Sequence, residues 1–188
     1  MKKLILASGS PRRKELLSLY TTDFAVCVSD FDEDAVTAQS PAELVEKLAR
    51  GKCLAVAGQH PGAVVIGCDT VVDVNGEVFG KPRDKEDAKR MLRALSGAQH
   101  HVHTGVCIAY PGGEERFTVT TKVKFYPVEE AQLEAYAATG EPYDKAGAYA
   151  IQGGAAAFCE GLEGCYYNVM GFPVSRVARA LAKIVEKI

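Results

Sequence analysis

The sequence predicts an α/β fold built around a mixed β-sheet that is flanked by helices. Short apolar runs typical of buried strands alternate along the chain with segments that begin at recognisable helix caps. An Asn75-Gly76 pair between two apolar runs predicts a tight hairpin, so at least one pair of strands should be antiparallel. The 188 residues contain no linker, repeat or low-complexity segment, which predicts a single domain over residues 1–188.

In the first part of the chain, three apolar runs predict strands at residues 4–7, 24–28 and 63–67. Two helices between them begin at the serine-proline pairs Ser10-Pro11 and Ser40-Pro41, because serine caps a helix and proline suits the first helical position. The second helix opens with a capping box and carries the apolar residues Leu44, Val45, Leu48 and Leu54. Gly51 interrupts this helix without a local reason.

The rest of the chain continues the alternation. Strands are predicted at residues 71–74 and 77–79, on either side of the hairpin turn, and at 101–109 and 117–126. Asp84 caps a third helix, which ends at Ser96-Gly97. Two further helices are predicted over residues 129–139 and 174–188, the last with an apolar stripe formed by Val177, Leu181, Ile184 and Ile188.

The charge balance argues against a long nucleic acid as partner. The 22 Lys and Arg residues against 24 Asp and Glu give a net charge of −2, so a broadly basic surface is not expected. No stretch approaches the roughly 18 apolar residues that span a bilayer, and the N-terminal apolar run is too short for a signal peptide. The six cysteines form no C-x-x-C motif, which is typical of free thiols in a reducing cytoplasm.

A first candidate site lies where the first strand leads into the first helix, at Ser8-Gly9-Ser10-Pro11-Arg12-Arg13. Unpaired N–H groups at a helix N-terminus favour an anion, and guanidinium groups can grip a phosphate. The segment matches neither of the standard glycine-rich nucleotide motifs. The alternative is an ordinary serine cap followed by a solvated basic turn.

Two further candidates come later in the chain. Asp69 and Thr70 follow the apolar run at 63–67, so we expect Asp69 at the end of a central strand, where it could hold a divalent cation or accept a proton from water. Lys81, between Gly80 and Pro82, is a pre-positioned positive charge for a phosphate. The alternatives are a turn formed by Asp69 and Thr70, and an ordinary exposed lysine.

The glycine-rich segment 144–154 is a fourth candidate, because its small residues let backbone approach a ligand closely. Lys145 and Gln152 supply polar groups there, and the Gln152 amide could pair with the edge of a base. A tightly packed crossover is the alternative. Glu33 could add a second carboxylate for Mg²⁺, whereas His101 and His103 lack a third ligand at a recognisable spacing.

These motifs, taken in order, resemble those of the Maf family, known as septum-formation inhibitors and nucleotide pyrophosphatases. The likeness covers essentially the whole chain and runs through Ala7-Ser8-Gly9-Ser10-Pro11-Arg12-Arg13, Gly67-Cys68-Asp69-Thr70, Gly80-Lys81-Pro82, Leu95-Ser96-Gly97, residues 144–153 and Val169-Met170-Gly171-x-Pro173. The resemblance implies an elongated, two-lobed α/β fold related to the inosine-triphosphate pyrophosphatases, with the active site in the cleft.

The resemblance also implies a reaction and a set of roles. The family hydrolyses nucleoside triphosphates between the α- and β-phosphates with a divalent metal, here Mg²⁺ or Mn²⁺. Asp69 would be the proton acceptor that activates water, and Glu33 with Asp69 would hold the metal. The phosphates would be contacted by Ser8, Arg12, Arg13, Lys52 and Lys81. The residues around Lys52, Arg50-Gly51-Lys52-Cys53, depart from the run of helix formers usual in the family.

Arg12, Thr70 and Gln152 resemble the branch of the family that acts on dTTP and UTP. A neutral amide suits a uracil or thymine edge, whereas the branch acting on 7-methyl-GTP has a carboxylate at the position of Gln152. Modified pyrimidine nucleotides are a further substrate class, and a homodimer is implied at the level of the family. The alternatives are the 7-methyl-GTP specificity and a nucleotide-binding regulator of septum formation that acts without hydrolysis.

Overall fold

A computed structural model describes residues 3–186 and contains a seven-stranded sheet flanked by helices. The strands are β1 (Leu4–Leu6), β2 (Ala25–Val26), β3 (Val64–Val74), β4 (Glu77–Phe79), β5 (Gln99–Tyr110), β6 (Gly113–Phe125) and β7 (Cys159–Glu163). Their order is β2-β1-β3-β5-β6-β7, with β4 paired to β3 outside this path. The strand β1 runs parallel to β2 and β3, whereas β3–β4 and β6–β7 are antiparallel pairs. The predicted mixed α/β class is therefore confirmed.

The helices are α1 (Pro11–Ser18), α2 (Pro41–Gln59), α3 (Lys85–Leu95), α4 (Glu130–Ala137), α5 (Tyr166–Val169) and α6 (Val174–Val185). The predicted caps are confirmed, because the side chains of Ser10, Ser40 and Asp84 each accept a hydrogen bond from a backbone N–H three residues later. Three short 3-10 helices, Pro142–Asp144, Ala146–Ala148 and Gly154–Phe158, were not predicted. Ile188, assigned to the last helix, lies outside the described residues.

The sequence prediction was wrong about where the central strand ends. The apolar run at 63–67 and the run at 71–74 belong to a single strand, β3, so Asp69 lies within the strand and not at its end. The pairing explains the continuity: the start of β3 pairs with β1, and its last residues pair with β4. The hairpin turn after β3 has positive φ at Asn75 (52°) and Gly76 (82°), as a type I′ turn requires.

The chain divides into two compact units, and β3, β5 and β6 contribute residues to both. The first unit contains the described residues up to Asp69, Thr104–Val119 and the residues from Gly171 onward. In its core, α2 lies directly on the sheet, because a Cβ added at Gly67 or Gly105 would come within 2.3 Å of a backbone oxygen of α2. Only glycine permits this approach, which brings the middle of α2 against the centre of the sheet.

The second unit contains Thr70–His103 and Thr120–Met170. Its core includes a cluster of rings in edge-on contact, formed by His100, Phe125, Tyr136, Tyr149 and Phe158. Around the rings pack apolar residues of α3, α4 and the adjoining strands.

No helix within residues 3–186 has the length and apolar character needed to cross a membrane. All six cysteines are free thiols.

Candidate active site

In the first unit, two carboxylates converge on one lysine. The Nζ of Lys52 lies 2.6 Å from Oδ1 of Asp69 and 2.8 Å from Oε2 of Glu33. The side chains of Lys52 and Asp69 are only 14% and 13% exposed, whereas that of Glu33 is 51% exposed. Both acidic groups are within hydrogen-bond distance of one ammonium. The cluster therefore places a positive charge next to the sheltered carboxylate of Asp69.

The contact between Lys52 and Asp69 follows from the close packing of α2 on β3. A Cβ at Gly67 would lie 2.3 Å from the carbonyl oxygen of Ala49 and 2.7 Å from the nitrogen of Cys53, so the helix backbone touches the strand at this point. Lys52 precedes Cys53 on the helix, and Asp69 lies two residues after Gly67, on the same face of the strand. Gly67 therefore belongs to the site through helix packing, a role that its sequence motif does not reveal.

The turn between β1 and α1 holds its polar groups together. The N–H of Ser10 donates to Oγ of Ser8 (3.2 Å), and the N–H of Arg13 donates to Oγ of Ser10 (3.4 Å). The Arg13 guanidinium donates to Oγ of Ser8 (3.4 Å) and, through Nε, to the carbonyl of Gly171 (3.0 Å). Arg12 is half-buried on the same first turn of the helix. Two hydroxyls and the Arg13 guanidinium thus lie at a helix N-terminus whose first turn also carries Arg12, which is a suitable arrangement for phosphate.

The sequence did not indicate that Gly171 is a hydrogen-bond partner of Arg13. Gly171 lies in a motif shared with the Maf family, but the resemblance gave it no role. In the structure its carbonyl fixes the Arg13 side chain, and its φ of 101° lies in the region that favours glycine.

In the second unit, the loop carrying Lys81 is joined to the glycine-rich segment. The N–H of Gly147 donates to the carbonyl of Gly80 (3.0 Å). Gly147 has φ of 72°, and a Cβ there would lie 2.8 Å from the side chain of Val72, so glycine is needed for both reasons. Lys81 is exposed at this loop, whereas Lys145 is 14% exposed and donates to Oδ1 of Asp144 (2.6 Å) and to the carbonyl of Glu141 (2.7 Å).

Gln152 is exposed on a segment that is fixed by residues the sequence analysis missed. Oε2 of Glu141 accepts from the N–H of Gly154 (2.9 Å), and a Cβ at Gly153 would lie 2.0 Å from the other oxygen of this carboxylate. The Tyr136 hydroxyl accepts from the N–H of Ala150 (3.0 Å), while burial and its hydrogen bond to Glu141 raise the pKa of Tyr136. The adjacent glycines were the available signal, because such pairs mark a close approach by another group.

Thr70 is half-buried and follows Asp69 along β3, where the chain passes from the first unit to the second. The predicted residues thus fall in two sets. The first unit holds Ser8, Arg12, Arg13, Glu33, Lys52 and Asp69, and the second holds Thr70, Lys81, Lys145 and Gln152.

The Glu33 and Asp69 carboxylates suit a divalent cation of the magnesium type. Mg²⁺ is usually held by one or two carboxylates with the remaining positions taken by water and substrate phosphates. Two carboxylates that already share one cationic partner provide that donor set. Among residues 3–186, no group of three or more His, Cys, Asp or Glu side chains is placed to hold a metal ion. His101 and His103 therefore belong to no such group.

The buried thiol of Cys68, next to Asp69 in the sequence, is not suited to act as a nucleophile. Cys68 precedes Asp69 in β3, and complete burial raises the pKa of its thiol to about 12. The nearby charge of Arg13 opposes this effect only in part. Cys68 is therefore a neutral packing residue.

Comparison with known proteins gives matches over nearly the whole chain. The model of the family described as Maf-like protein matches residues 3–184. The chain is 49% identical to a dTTP/UTP pyrophosphatase of a Geobacillus species, over 98% of this chain and 99% of the relative. It is 50% identical to a dTTP/UTP pyrophosphatase of Symbiobacterium thermophilum, over 97% and 94% of the two chains.

Among solved structures, the Staphylococcus aureus Ham1 protein has a similar fold. The two structures superpose with a TM-score of 0.58 over 97% of this chain and 99% of the other, at 15% sequence identity. A HAM1 protein from Coxiella burnetii gives a TM-score of 0.52 at 12% identity, with both chains covered fully. At these identities the likeness concerns the fold alone.

Proposed function

Since the chain belongs to the family of Maf-like proteins, we propose that it is a nucleoside triphosphate pyrophosphatase that hydrolyses dTTP and UTP to the monophosphate and pyrophosphate. The observation that carries the proposal is the pair of carboxylates, Asp69 and Glu33, on the ammonium of Lys52. Without a metal, a passive nucleotide-binding protein would gain little from negative groups at a phosphate site. A hydrolase needs one of them as a base.

In the proposed mechanism, the triphosphate is bound by Ser8, Arg12, Arg13 and the N-terminus of α1. Asp69 accepts a proton from a water molecule as the water oxygen bonds to phosphorus. The bond between the α-phosphoryl group and the bridging oxygen breaks, and the electron pair leaves with pyrophosphate. Lys52, which lies beside Asp69, supplies a positive charge that stabilises the negative charge developing on the phosphoryl oxygens.

Glu33 and Asp69 would hold a divalent cation, Mg²⁺ or Mn²⁺, which when bound neutralises charge on the phosphate oxygens. Lys81 would add a further positive charge toward the phosphates. These roles rest on the chemistry of the donor groups and on the family resemblance.

The preference for a pyrimidine base is assigned to Arg12, Thr70 and Gln152, and Lys145 is a further substrate-binding residue on the same segment as Gln152. The Gln152 amide offers one donor and one acceptor face, which match the polar edge of uracil or thymine. The segment that carries it is held by Glu141 and Tyr136, which supports a defined position for the amide. Modified pyrimidine nucleotides share this edge and are proposed as further substrates.

We also propose that the enzyme acts in the cytoplasm, which its six free thiols support. A net charge of −2 supports a small anionic substrate in preference to long nucleic acid. A homodimer stays a family-level prediction.

The test is an Asp69→Asn variant assayed for pyrophosphate release on a panel of common and modified nucleoside triphosphates with Mg²⁺ or Mn²⁺. We expect turnover to fall by about 10²–10⁴-fold, as for loss of a general base. Asp73→Asn, on the same strand, is the matched control, because Asp73 accepts a hydrogen bond from the turn N–H of Gly76 and lies 3.8 Å from His103 Nε2, which places it outside the cluster of Lys52 and Asp69. Full activity of Asp69→Asn would refute the base assignment, and a preference of the wild type for purines would refute the substrate assignment.

A further inference from the structure

The glycine that interrupts α2 is covered by an aromatic ring. A Cβ added at Gly51 would lie 2.3 Å from Cζ of Phe31 and 2.4 and 2.5 Å from its two Cε atoms. Such distances are impossible for a real side chain, so the ring lies flush on the helix backbone, and Phe31 is half-buried there. Gly51, which weakens the helix by its own propensity, is therefore required by a tertiary contact.

The same loop reaches the same helix one residue further along. Glu33 lies two residues after Phe31, and its carboxylate pairs with Lys52, the residue next to Gly51. Hydrogen bonds within the loop hold its backbone around these two residues. The N–H of Phe31 donates to Oγ of Ser29 (3.1 Å), and the N–H of Asp34 donates to Oδ1 of Asp32 (3.1 Å). The loop is thus attached to α2 at two adjacent points, one apolar and one charged.

The contact of Phe31 with Gly51 must contribute more of the free energy that holds the loop on α2 than the ion pair of Glu33 with Lys52. The Glu33 side chain is 51% exposed, and an ion pair in that environment gains little over hydration. A phenylalanine ring packed on a helix removes far more apolar surface from water. Without the ring, the carboxylate of Glu33 would be free to leave Lys52 and Asp69.

We propose that Phe31 and its socket at Gly51 position the Glu33 carboxylate beside Asp69 and so set the affinity of the site for a divalent cation. Phe31 is then a positioning residue that acts through Glu33. The inference rests on the proposed function, because it takes Glu33 as a ligand of the cation. It assigns a purpose to the departure of this chain from the family's usual run of helix formers around Lys52.

The experiment measures the binding of Mn²⁺ to the full chain by electron paramagnetic resonance of the free ion. In Gly51→Ala the methyl group occupies the socket and displaces the ring, whose far end can swing away without unfolding the helix. We expect the dissociation constant for Mn²⁺ to rise roughly 10-fold, the lower end of the loss seen when a group that orients a metal ligand is removed. Phe31→Ala should give the same loss by emptying the socket.

Gly58→Ala is the matched control, because it makes the same change in the same helix at a position where no atom lies within 4 Å of the new Cβ. We expect it to bind Mn²⁺ as the wild type does. The double variant Gly51→Ala/Phe31→Ala should bind no more weakly than either single variant, since both remove one contact. A merely structural role for the ring would lower the melting temperature of Phe31→Ala and leave the affinity for Mn²⁺ unchanged, which would overturn the inference.

Glu33→Gln separates this inference from the function on which it rests. If Glu33→Gln binds Mn²⁺ as tightly as the wild type, the proposed metal site is wrong and the inference falls with it. If Glu33→Gln binds weakly while Gly51→Ala and Phe31→Ala bind like Gly58→Ala, the metal site stands and the positioning role of Phe31 is refuted.

Discussion

At the scale of single residues, Lys52 determines whether the two carboxylates can lie close together. Asp69 is mostly buried, and a carboxylate in that position needs a partner for its charge. Lys52 supplies it at 2.6 Å and reaches Glu33 with the same nitrogen. The side chain is itself 14% exposed, so it is held by packing and not only by attraction between charges. Lys52 thus connects the proposed base with the proposed metal ligand.

We therefore expect Lys52→Met to impair catalysis strongly. The substitution keeps an unbranched side chain, one atom shorter, and removes the positive charge that offsets Asp69 and the phosphates. The value of kcat/KM for dTTP should fall by about 100-fold, a loss typical of removing one group that stabilises developing charge. Pyrophosphate release at several dTTP concentrations measures this change.

Lys47→Met is the control for that variant. Lys47 lies on the same helix and pairs with Glu43 at 2.7 Å, but its side chain is 48% exposed. An exposed pair of this kind contributes little. Equal activity of Lys52→Met and Lys47→Met would show that Lys52 has no part in the reaction.

At the scale of elements, the packing of α2 on β3 decides the geometry of the site. Two glycines, Gly67 on β3 and Gly105 on β5, lie under the helix and leave no room for a side chain. A closely packed interface of this kind cannot relax around an added methyl group at low cost. The distance between Lys52 and Asp69 thus depends on atoms that carry no chemistry.

Gly67→Ala should destabilise the protein. The new methyl group would lie 2.3 Å from the Ala49 carbonyl oxygen, which belongs to backbone and cannot swing aside. We expect the free energy of unfolding in urea to fall by about 1–3 kcal/mol, the usual cost of overpacking. Gly161→Ala on β7 is the control, because no atom lies within 4 Å of its new Cβ. Equal stability of the two variants would contradict the packing argument.

The elements also show why some of the fold was predictable and some was not. The starts of α1, α2 and α3 and the Asn75-Gly76 turn depend on residues a few positions apart, so their sequence signals were sufficient. The continuation of β3 through Asp69 depends on pairing with β1 at one end and β4 at the other. A prediction from hydrophobicity ends a strand where polar residues begin, so it cannot detect a strand that continues through them.

Some residues of the candidate site were likewise predictable from local sequence, and others were not. A strand-to-helix turn with Ser8 and Arg13 is a local signal, and the structure brings these two side chains together. Lys52 came only from the family resemblance, because nothing in its neighbours marks it. Glu141 escaped notice because its role depends on a contact with Gly153 and Gly154, twelve and thirteen residues away.

At the scale of the whole molecule, the net charge of −2 says little about the surface that binds the substrate. Many acidic and basic residues in the described part of the chain form ion pairs, and several of these pairs outside the candidate site are exposed. The average charge therefore excludes a broad basic face but is compatible with one local cluster of positive groups. The pH dependence of stability, in contrast, is set by ionisable groups whose pKa is shifted by burial.

His100 is such a group, and it should make the stability of the whole molecule depend on pH. Its ring is fully buried, packs edge-on against Phe125 and hydrogen-bonds the Tyr149 hydroxyl at 2.9 Å. Burial, with a smaller effect of His101, lowers the pKa of His100 to about 4. Between pH 6.5 and 4, the unfolded chain therefore binds a proton at His100 that the folded chain does not. The free energy of unfolding must fall as the pH falls through this window.

From pH 7 to pH 5, His100 alone should lower the free energy of unfolding by about 2 kcal/mol. His103, whose pKa is also lowered by burial, adds to the dependence of the wild type in the same direction, so the test is a difference between variants. His100→Gln keeps a polar partner for Tyr149 and removes the titration. Urea unfolding at both pH values should show a smaller loss of stability in His100→Gln than in the wild type. An unchanged dependence in His100→Gln would mean that the buried imidazole is not the group that couples folding to protons.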